Sequence, residues 1–168
     1  MLKFLFSLLV LLSLDVIAAD VYLAPEKFLQ NHFPTGVPKA SKVWMKGELS
    51  EGFKKIMSRR GPRLMKYWKN DKKTVWILGE IGKTQPITTG YVVEDSKITQ
   101  VRILIYRETH GYEVRHPSYT SQFEGATLIE MAKLDRQING IAGATLSHRA
   151  LIRMAQLALF MDSQVGRK

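Results

Sequence analysis

From residue 63 the chain alternates apolar and polar positions with a period of two, and the pattern predicts four strands, at 63–69, 74–81, 87–93 and 98–106. In the last of these Val101, Ile103 and Ile105 share one face. The breaks between them are short: Asn70-Asp71, the stretch 82–86 with Gly82 and Pro86, and Glu94-Asp95-Ser96. Short breaks join neighbouring strands, so the four form an antiparallel meander. On both sides of this block the period is helical. Pro25 fits a first helical position, with Phe28, Leu29 and His32 on one face and a stop at Pro34 and Gly36. After an extended piece around Val43-Trp44-Met45, Ser50 offers a cap for a second helix. Phe53, Ile56 and Met57 would line one side of it, and Arg59-Arg60-Gly61-Pro62 would end it. The longest periodic run starts at Leu146, where Ala150, Leu151, Met154, Ala155, Ala158 and Met161 recur at three- and four-residue steps. Arg149, Arg153 and Gln156 take the other side of it. Strands grouped together and helices outside them define an α+β fold, a single domain closed by a long C-terminal helix.

The first residues do not fit that domain. Met1-Leu2-Lys3 is a short basic start, residues 4–14 are densely apolar, and Asp15-Val16-Ile17-Ala18-Ala19 ends in small residues. This is the pattern of a secretory signal peptide at 1–19, cleaved after Ala18 or Ala19 and directing the protein to the periplasm or beyond. The apolar stretch is shorter than the roughly 20 residues a membrane span needs. The mature stretch, 20–168, is on the order of 150 residues, enough for one domain with its own core. The chain has no cysteine. Disulfides, iron–sulfur clusters, c-type haem attachment, thiol nucleophiles and a lipid anchor on cysteine are all excluded, and any redox work falls to a bound organic cofactor.

The chain carries 25 Lys and Arg against 15 Asp and Glu. Most of the excess lies between 42 and 73, where eleven basic residues meet only Glu48, Glu51 and Asp71. Aromatic residues are interleaved there, as in Lys66-Tyr67-Trp68-Lys69. Such segments bind nucleic acid or acidic membranes when the charges gather on one element. Here they spread over a helix, a turn and strands, which favours a solvated face, with docking to an acidic redox partner as its functional version. No nucleic acid is expected.

The stretch with chemistry in it is Asn139-Gly140-Ile141-Ala142-Gly143-Ala144-Thr145-Leu146-Ser147, a small-residue loop running into the long helix. Gly and Ala let backbone N–H groups approach a ligand, and a helix start offers unpaired donors with the positive end of its dipole. Together these make an anion site suited to a phosphate. Gly143-Ala144-Thr145-Leu146-Ser147, with a polar residue six positions before the Thr, resembles the attachment motif of the FMN-binding domain family. That family includes the peripheral flavin subunits of Rnf- and Nqr-type redox complexes and small periplasmic flavoproteins. The resemblance implies FMN linked through its phosphate to the hydroxyl of Thr145 by a dedicated flavin transferase. A second passage supports it. Arg107-Glu108-Thr109-His110-Gly111-Tyr112, followed by Gln122-Phe123-Glu124-Gly125, follows the order of a family segment whose loop lies near the flavin ring. Two positions depart from the family pattern: Asn139 stands where Asp is usual, and Ala142 where Ser or Thr is frequent. The opening Val21-Tyr22-Leu23-Ala24-Pro25 is also similar to the start of small periplasmic members. The fold the resemblance implies, a twisted antiparallel sheet flanked by helices, agrees with the periodicity.

The resemblance places the cofactor on Asn139, Gly140, Ala142, Gly143, Ala144, Thr145, Leu146, Ser147 and His148, and on Glu108, Thr109, His110 and Gly111. His148 is included because, three residues after Thr145 on the same helical face, it would reach the phosphate. An ordinary first-turn surface histidine is an equal reading of it. His110 reads as a ring-edge donor or a surface histidine. With His116 it offers two imidazoles but no third ligand at a metal-binding spacing, so no metal is expected. Gly-Ala-Thr alone is usually a plain helix cap, and the chain holds its own control: Gly125-Ala126-Thr127-Leu128 repeats the tetrapeptide without a comparable helix after it. Three functions remain open at this point. The first is a secreted electron carrier whose FMN exchanges electrons with protein redox partners, membrane-bound ones included. The second is a cofactor-free basic module that binds phosphates or acidic partners through the same loop. The third is a flavin reductase acting on a small acceptor.

Overall fold

The computed structural model describes residues 20–71 and 73–166; the expected signal peptide at 1–19 lies outside them. Six antiparallel strands make the main sheet: β1 (Asp20–Val21), β2 (Ser41–Trp44), β3 (Leu64–Asn70), β4 (Lys73–Ile81), β5 (Pro86–Glu94) and β6 (Lys97–Tyr106). Their spatial order is β1-β6-β5-β4-β3-β2, so the meander expected from the alternating pattern runs from β3 to β6, and β2 adds beside β3. The sequence-based strand limits agree with the observed ones to within one or two residues. The short β1, which the pattern does not reveal, adds to the edge through Asp20↔Tyr106 and Val21↔Ile105. The β5–β6 hairpin turns on Asp95 and Ser96, both with positive φ (48° and 62°), the conformation that matches the twist of a tight hairpin.

Among the described residues the α-helices are α1 (Pro25–His32), α2 (Glu48–Met57), the single-turn α3 (Pro117–Thr120) and α4 (Thr145–Val165). A small hairpin of β7 (Leu128–Glu130) and β8 (Lys133–Leu134) precedes α4. One detail of α2 differs from the sequence reading. Ser50 lies inside the helix rather than capping it: the helix starts at Glu48 after Gly47, whose φ of 54° turns the chain sharply. It also stops before the Gly-Pro pair, at a left-handed Ser58 whose N–H returns to the carbonyl of Lys54.

Helix α4 packs along one face of the sheet with α2 beside it. Between them lie Trp76, Tyr91, Tyr106, Tyr119, Phe123, Leu151 and Met154, all almost fully buried. Twelve of its residues are buried, among them Leu157, Leu159 and Phe160 beyond the expected apolar stripe. The polar side is also engaged: Arg153 bonds Glu80 at 3.1 Å and Gln156 donates to the Ala132 carbonyl at 2.8 Å. Two polar links fix α4 to the sheet. The Tyr91 hydroxyl donates to the Leu151 carbonyl (2.9 Å), and the Thr74 hydroxyl donates to Asp162 (2.6 Å) while accepting from the Trp76 indole (3.0 Å). Burial raises the Asp162 carboxyl above its ordinary value, against the Thr74 bond, which lowers it. The opposite sheet face carries a smaller cluster of Phe28, Leu29, Phe33, Val75, Val92 and Leu104 under α1. Phe28 lies so close over Gly90 that a β-carbon there would be 2.3 Å from its ring. Among the described residues no helix is long and apolar enough to cross a membrane.

Candidate functional site

Three chain segments converge at one end of α4. The first is the turn 82–85 that joins β4 to β5. The second is the loop after β6, beginning at Arg107. The third is the start of α4 itself. Hairpin register brings the first two together, because pairing of Thr88 with Ile105 sets the beginning of β5 beside the end of β6. Arg107 reinforces the contact by donating to the Pro86 carbonyl and the Thr88 hydroxyl, each at 3.2 Å. A cleft of about 340 Å³ lies between the segments, lined by Lys83, Glu108, Thr109, His110, Gly143, Ala144, Thr145, Leu146 and Ser147.

The helix start is built to leave donors free. Gly143 holds a left-handed backbone (φ 81°), which lets the chain swing into α4, and Ala144 takes the cap position without a side-chain hydrogen bond. Thr145 is therefore the first helical residue rather than the cap. The first intrahelical acceptor is the Ala144 carbonyl, which takes the N–H of His148 at 2.8 Å. The N–H groups of Thr145, Leu146 and Ser147 have no acceptor within the helix. Thr145 is exposed, and its hydroxyl has no partner among the described residues.

The floor of the cleft is pinned by Tyr106. Its buried hydroxyl donates to the His110 carbonyl at 2.6 Å and lies 3.1 Å from the Ser147 hydroxyl. Because the single phenolic proton goes to the carbonyl, Ser147 is the donor in the second bond. Gly111 crosses close by with φ 77°, which favours glycine, and a β-carbon there would crowd both the Ala144 methyl and the Tyr106 hydroxyl at 3.1 Å.

Glu108 binds the protein itself. Its carboxylate accepts the backbone N–H groups of Lys83, Thr84 (2.8 Å) and Gln85 (3.1 Å) and the Thr84 hydroxyl (3.0 Å). Burial pushes this carboxyl up, yet the four donors outweigh it and hold it below its ordinary value. Its negative charge is thus spent on the turn, and the exposed Lys83 side chain is left as a cation at the cleft edge. Thr109 and His110 share a hydrogen bond of 2.8 Å between hydroxyl and Nδ1.

Of the residues expected from sequence, Glu108, Thr109, His110, Gly143, Ala144, Thr145, Leu146 and Ser147 line the cleft, with Gly111 packed behind it. Asn139, Gly140, Ala142 and His148 do not. The Asn139 N–H is taken by the Gln122 side chain at 2.8 Å, and Gly140 rests on the His148 ring. Of the two readings of His148, the structure favours the one without the phosphate: its Nδ1 is hydrogen-bonded to the Tyr119 hydroxyl at 2.7 Å, and it lines a separate depression with Asp135, Arg136 and Gln156. The reason is directional. Free amides point out of the helix end, whereas a side chain three positions on leaves sideways. Lys83, Gly82 and Tyr106 were missed. The strand register at β5–β6 was the available signal, since it sets turn 82–85 beside residue 107.

The duplicate tetrapeptide behaves differently. Gly125 is left-handed (φ 76°) like Gly143, but Thr127 enters a strand and its N–H goes to Asp135 at 3.1 Å. No free amides flank it.

The donor set of the cleft suits FMN. Three free N–H groups and the Lys83 amine match a phosphate, an unbonded hydroxyl stands beside them, and Leu146, Ala144, Thr109 and His110 form an apolar wall with a polar edge. The fold and site therefore define an α+β domain with a cleft at a helix N-terminus, a place suited to a phosphate-bearing ligand. Residues 82–159 match the model of the FMN-binding domain. Residues 82–159 are thus an FMN-binding domain, and the cofactor that this domain indicates is FMN. The match begins at the cleft turn and covers every residue that lines the cleft. No curated protein matches the chain. The domain match favours FMN binding over the cofactor-free reading of the loop.

Proposed function

We propose that this protein is an exported electron-transfer flavoprotein whose FMN is esterified through its phosphate to the hydroxyl of Thr145. The observation that carries this reading is the unbonded Thr145 hydroxyl at the mouth of three free amides, facing loop 108–110 across one cleft. A phosphoester there puts the phosphate oxygens within the field of the helix start, where negative charge is stabilised. Lys83 adds a second positive group. Thr109 and His110 supply hydrogen-bonding groups at the other wall, and Leu146, exposed at its lip, shields the cofactor from water on one side.

Bound FMN supplies reversible one- and two-electron chemistry; the residues described hold and orient it. No acid–base pair in the cleft is free to activate a substrate, since Glu108 is committed to the turn. An electron carrier that exchanges with protein partners, membrane-bound ones included, fits this better than a turnover enzyme. The signal-like segment 1–19 supports export to the periplasm. A covalent tether would keep FMN on a protein that has left the compartment where FMN is made. A flavin transferase is then the maturation partner.

The test is expression with the leader and a flavin transferase, followed by intact mass and a visible spectrum after denaturation. Wild type and Thr127→Ala should gain one FMN residue and stay yellow when unfolded, and Thr145→Ala should not. Flavin that leaves wild type on denaturation would refute the covalent bond. An FMN adduct persisting in Thr145→Ala would refute the assigned residue.

A further inference from the structure

A second cavity, of about 740 Å³, lies well away from the flavin cleft. It exists because the sheet splits. Strand β3 pairs with β4 only through Trp68↔Val75, Lys69↔Thr74 and Asn70↔Lys73, after which the two diverge. From Leu64 to Tyr67 β3 pairs with β2 instead, while β4 runs on to Ile81 beside β5. The cavity runs through this gap. Its inner part is apolar, formed by Met57 of α2, Met65 and Leu78 of the strands, and Met154 and Leu157 of α4. Its mouth lies on the sheet face that the short α1 only partly covers, between Trp68, Ile77 and Gly79.

The charge at the mouth has one sign. Arg59, Arg60 and Lys66 line the cavity and no acidic residue does. Glu80, next to Gly79 in sequence, is buried and already shared between two guanidinium groups, Arg59 at 2.8 Å and Arg153 at 3.1 Å. That cluster keeps a net positive charge. Arg60 and Lys66 have no ion-pair partner among the described residues, and Lys66 stands directly opposite Lys42 in the β2–β3 ribbon, a like-charge pair that is unfavourable on its own. An apolar slot through a sheet, closed by unpaired cations, calls for a ligand with a long apolar body and an anionic end.

We propose that this cavity binds a long-chain carboxylate, the alkyl chain lying in the split between β3 and β4 and the carboxylate meeting Arg60 and Lys66. Met154 and Leu157 lie nine and twelve residues beyond Thr145, about 14 to 18 Å along the helix, so this site is distinct from the flavin cleft and does not rest on the electron-transfer reading.

The experiment is calorimetric titration of the FMN-loaded protein with saturated carboxylates of increasing chain length, each below its micelle concentration, with dodecanol and phosphatidylglycerol vesicles as comparison arms. The expected result is saturable one-to-one binding that tightens by about two- to fourfold per added methylene. Dodecanol should bind at least tenfold more weakly than dodecanoate. Arg60→Glu with Lys66→Glu should lower dodecanoate affinity at least tenfold. Gly79→Leu tests the slot without charge. A β-carbon at 79 meets only the Ile87 carbonyl, at 3.9 Å, so the variant folds while its side chain closes the mouth. It should abolish binding. No saturable binding, equal affinity for the alcohol, binding that survives Gly79→Leu, or binding to vesicles alone would each overturn the proposal.

Discussion

Replacing Tyr106 by Phe tests whether the flavin cleft is held open by a single buried hydroxyl. The ring of Tyr106 is almost wholly buried and would stay in place, so the change removes one oxygen and no packing. Two groups lose a partner. The His110 carbonyl, on an exposed loop, recruits water and loses little. Ser147, 4% exposed as a residue, has less such access for its hydroxyl and keeps much of the cost of an unpaired buried group. An unpaired buried polar group costs about 1–3 kcal/mol and a replaceable bond well under 1, so a net loss of about 1–2 kcal/mol is expected. With a urea slope of about 1–3 kcal/mol per molar, the unfolding midpoint should fall by on the order of 0.5–1 M at unchanged slope. Ser147→Ala alone removes the orphan, so a double-mutant cycle should return a coupling energy of about 0.5–1.5 kcal/mol. In FMN-loaded protein the same variant should open the flavin to a soluble fluorescence quencher, because loop 107–111 is no longer tied to α4. A Tyr106→Phe protein with wild-type midpoint, zero coupling to Ser147 and unchanged quenching would refute the clamp.

Three further outcomes are expected from the same fold. Gly90→Ala sets a β-carbon 2.3 Å from the Phe28 ring, so α1 must shift off the sheet; thermal unfolding should report a loss of about 1–3 kcal/mol, and a neutral substitution would mean α1 is loosely docked. The carboxyl of Glu108 is held below its ordinary value, so its contribution to stability is complete above the usual carboxylate range and is lost as pH falls through the lowered value. The stability gap between wild type and Glu108→Gln should therefore narrow on acidification from about pH 6 to about pH 3, and a constant gap would contradict the turn-anchoring role. Burial, then the nearby Arg149 charge, depresses His148 below 6.5, so protonation disfavours the folded state and stability is lost as pH drops below that value. His32 shifts the same way through burial and Lys73, so the assay compares melting of wild type with His148→Gln; identical pH profiles would sink the assignment.

How far the sequence reaches is decided by how local each determinant is. The meander was legible because its hairpins are short and its inward residues alternate, so period and connection length suffice. What alternation does not report is where two neighbouring strands stop pairing: nothing in Leu64 to Tyr67 or Ile77 to Gly79 announces that β3 leaves β4 and opens a cavity. The short β1 was invisible for a related reason, since its two residues pair with β6 across a long stretch of intervening chain and carry no period of their own. At the site the motif located the helix start and its facing loop, because both are runs of adjacent residues. It did not reveal Lys83 or Tyr106, which arrive through strand register, and it left His148 open, because a shared helix face does not say whether a side chain reaches the helix end. The two Gly-Ala-Thr-Leu copies show what separates a motif from a site. Each has a left-handed glycine, a buried alanine and a threonine, and their local backbones start alike. Thr127 continues into a hairpin whose Asp135 already takes its N–H, so an anion there would displace a carboxylate. Thr145 continues into a helix, and a helix start leaves successive amides open however good the packing behind it. The phosphate-binding capacity lies in the helix that the tetrapeptide leads into rather than in the tetrapeptide itself, which is why a substitution that unwound the first turn of α4 while keeping Gly143 to Leu146 intact should lose FMN as completely as Thr145→Ala.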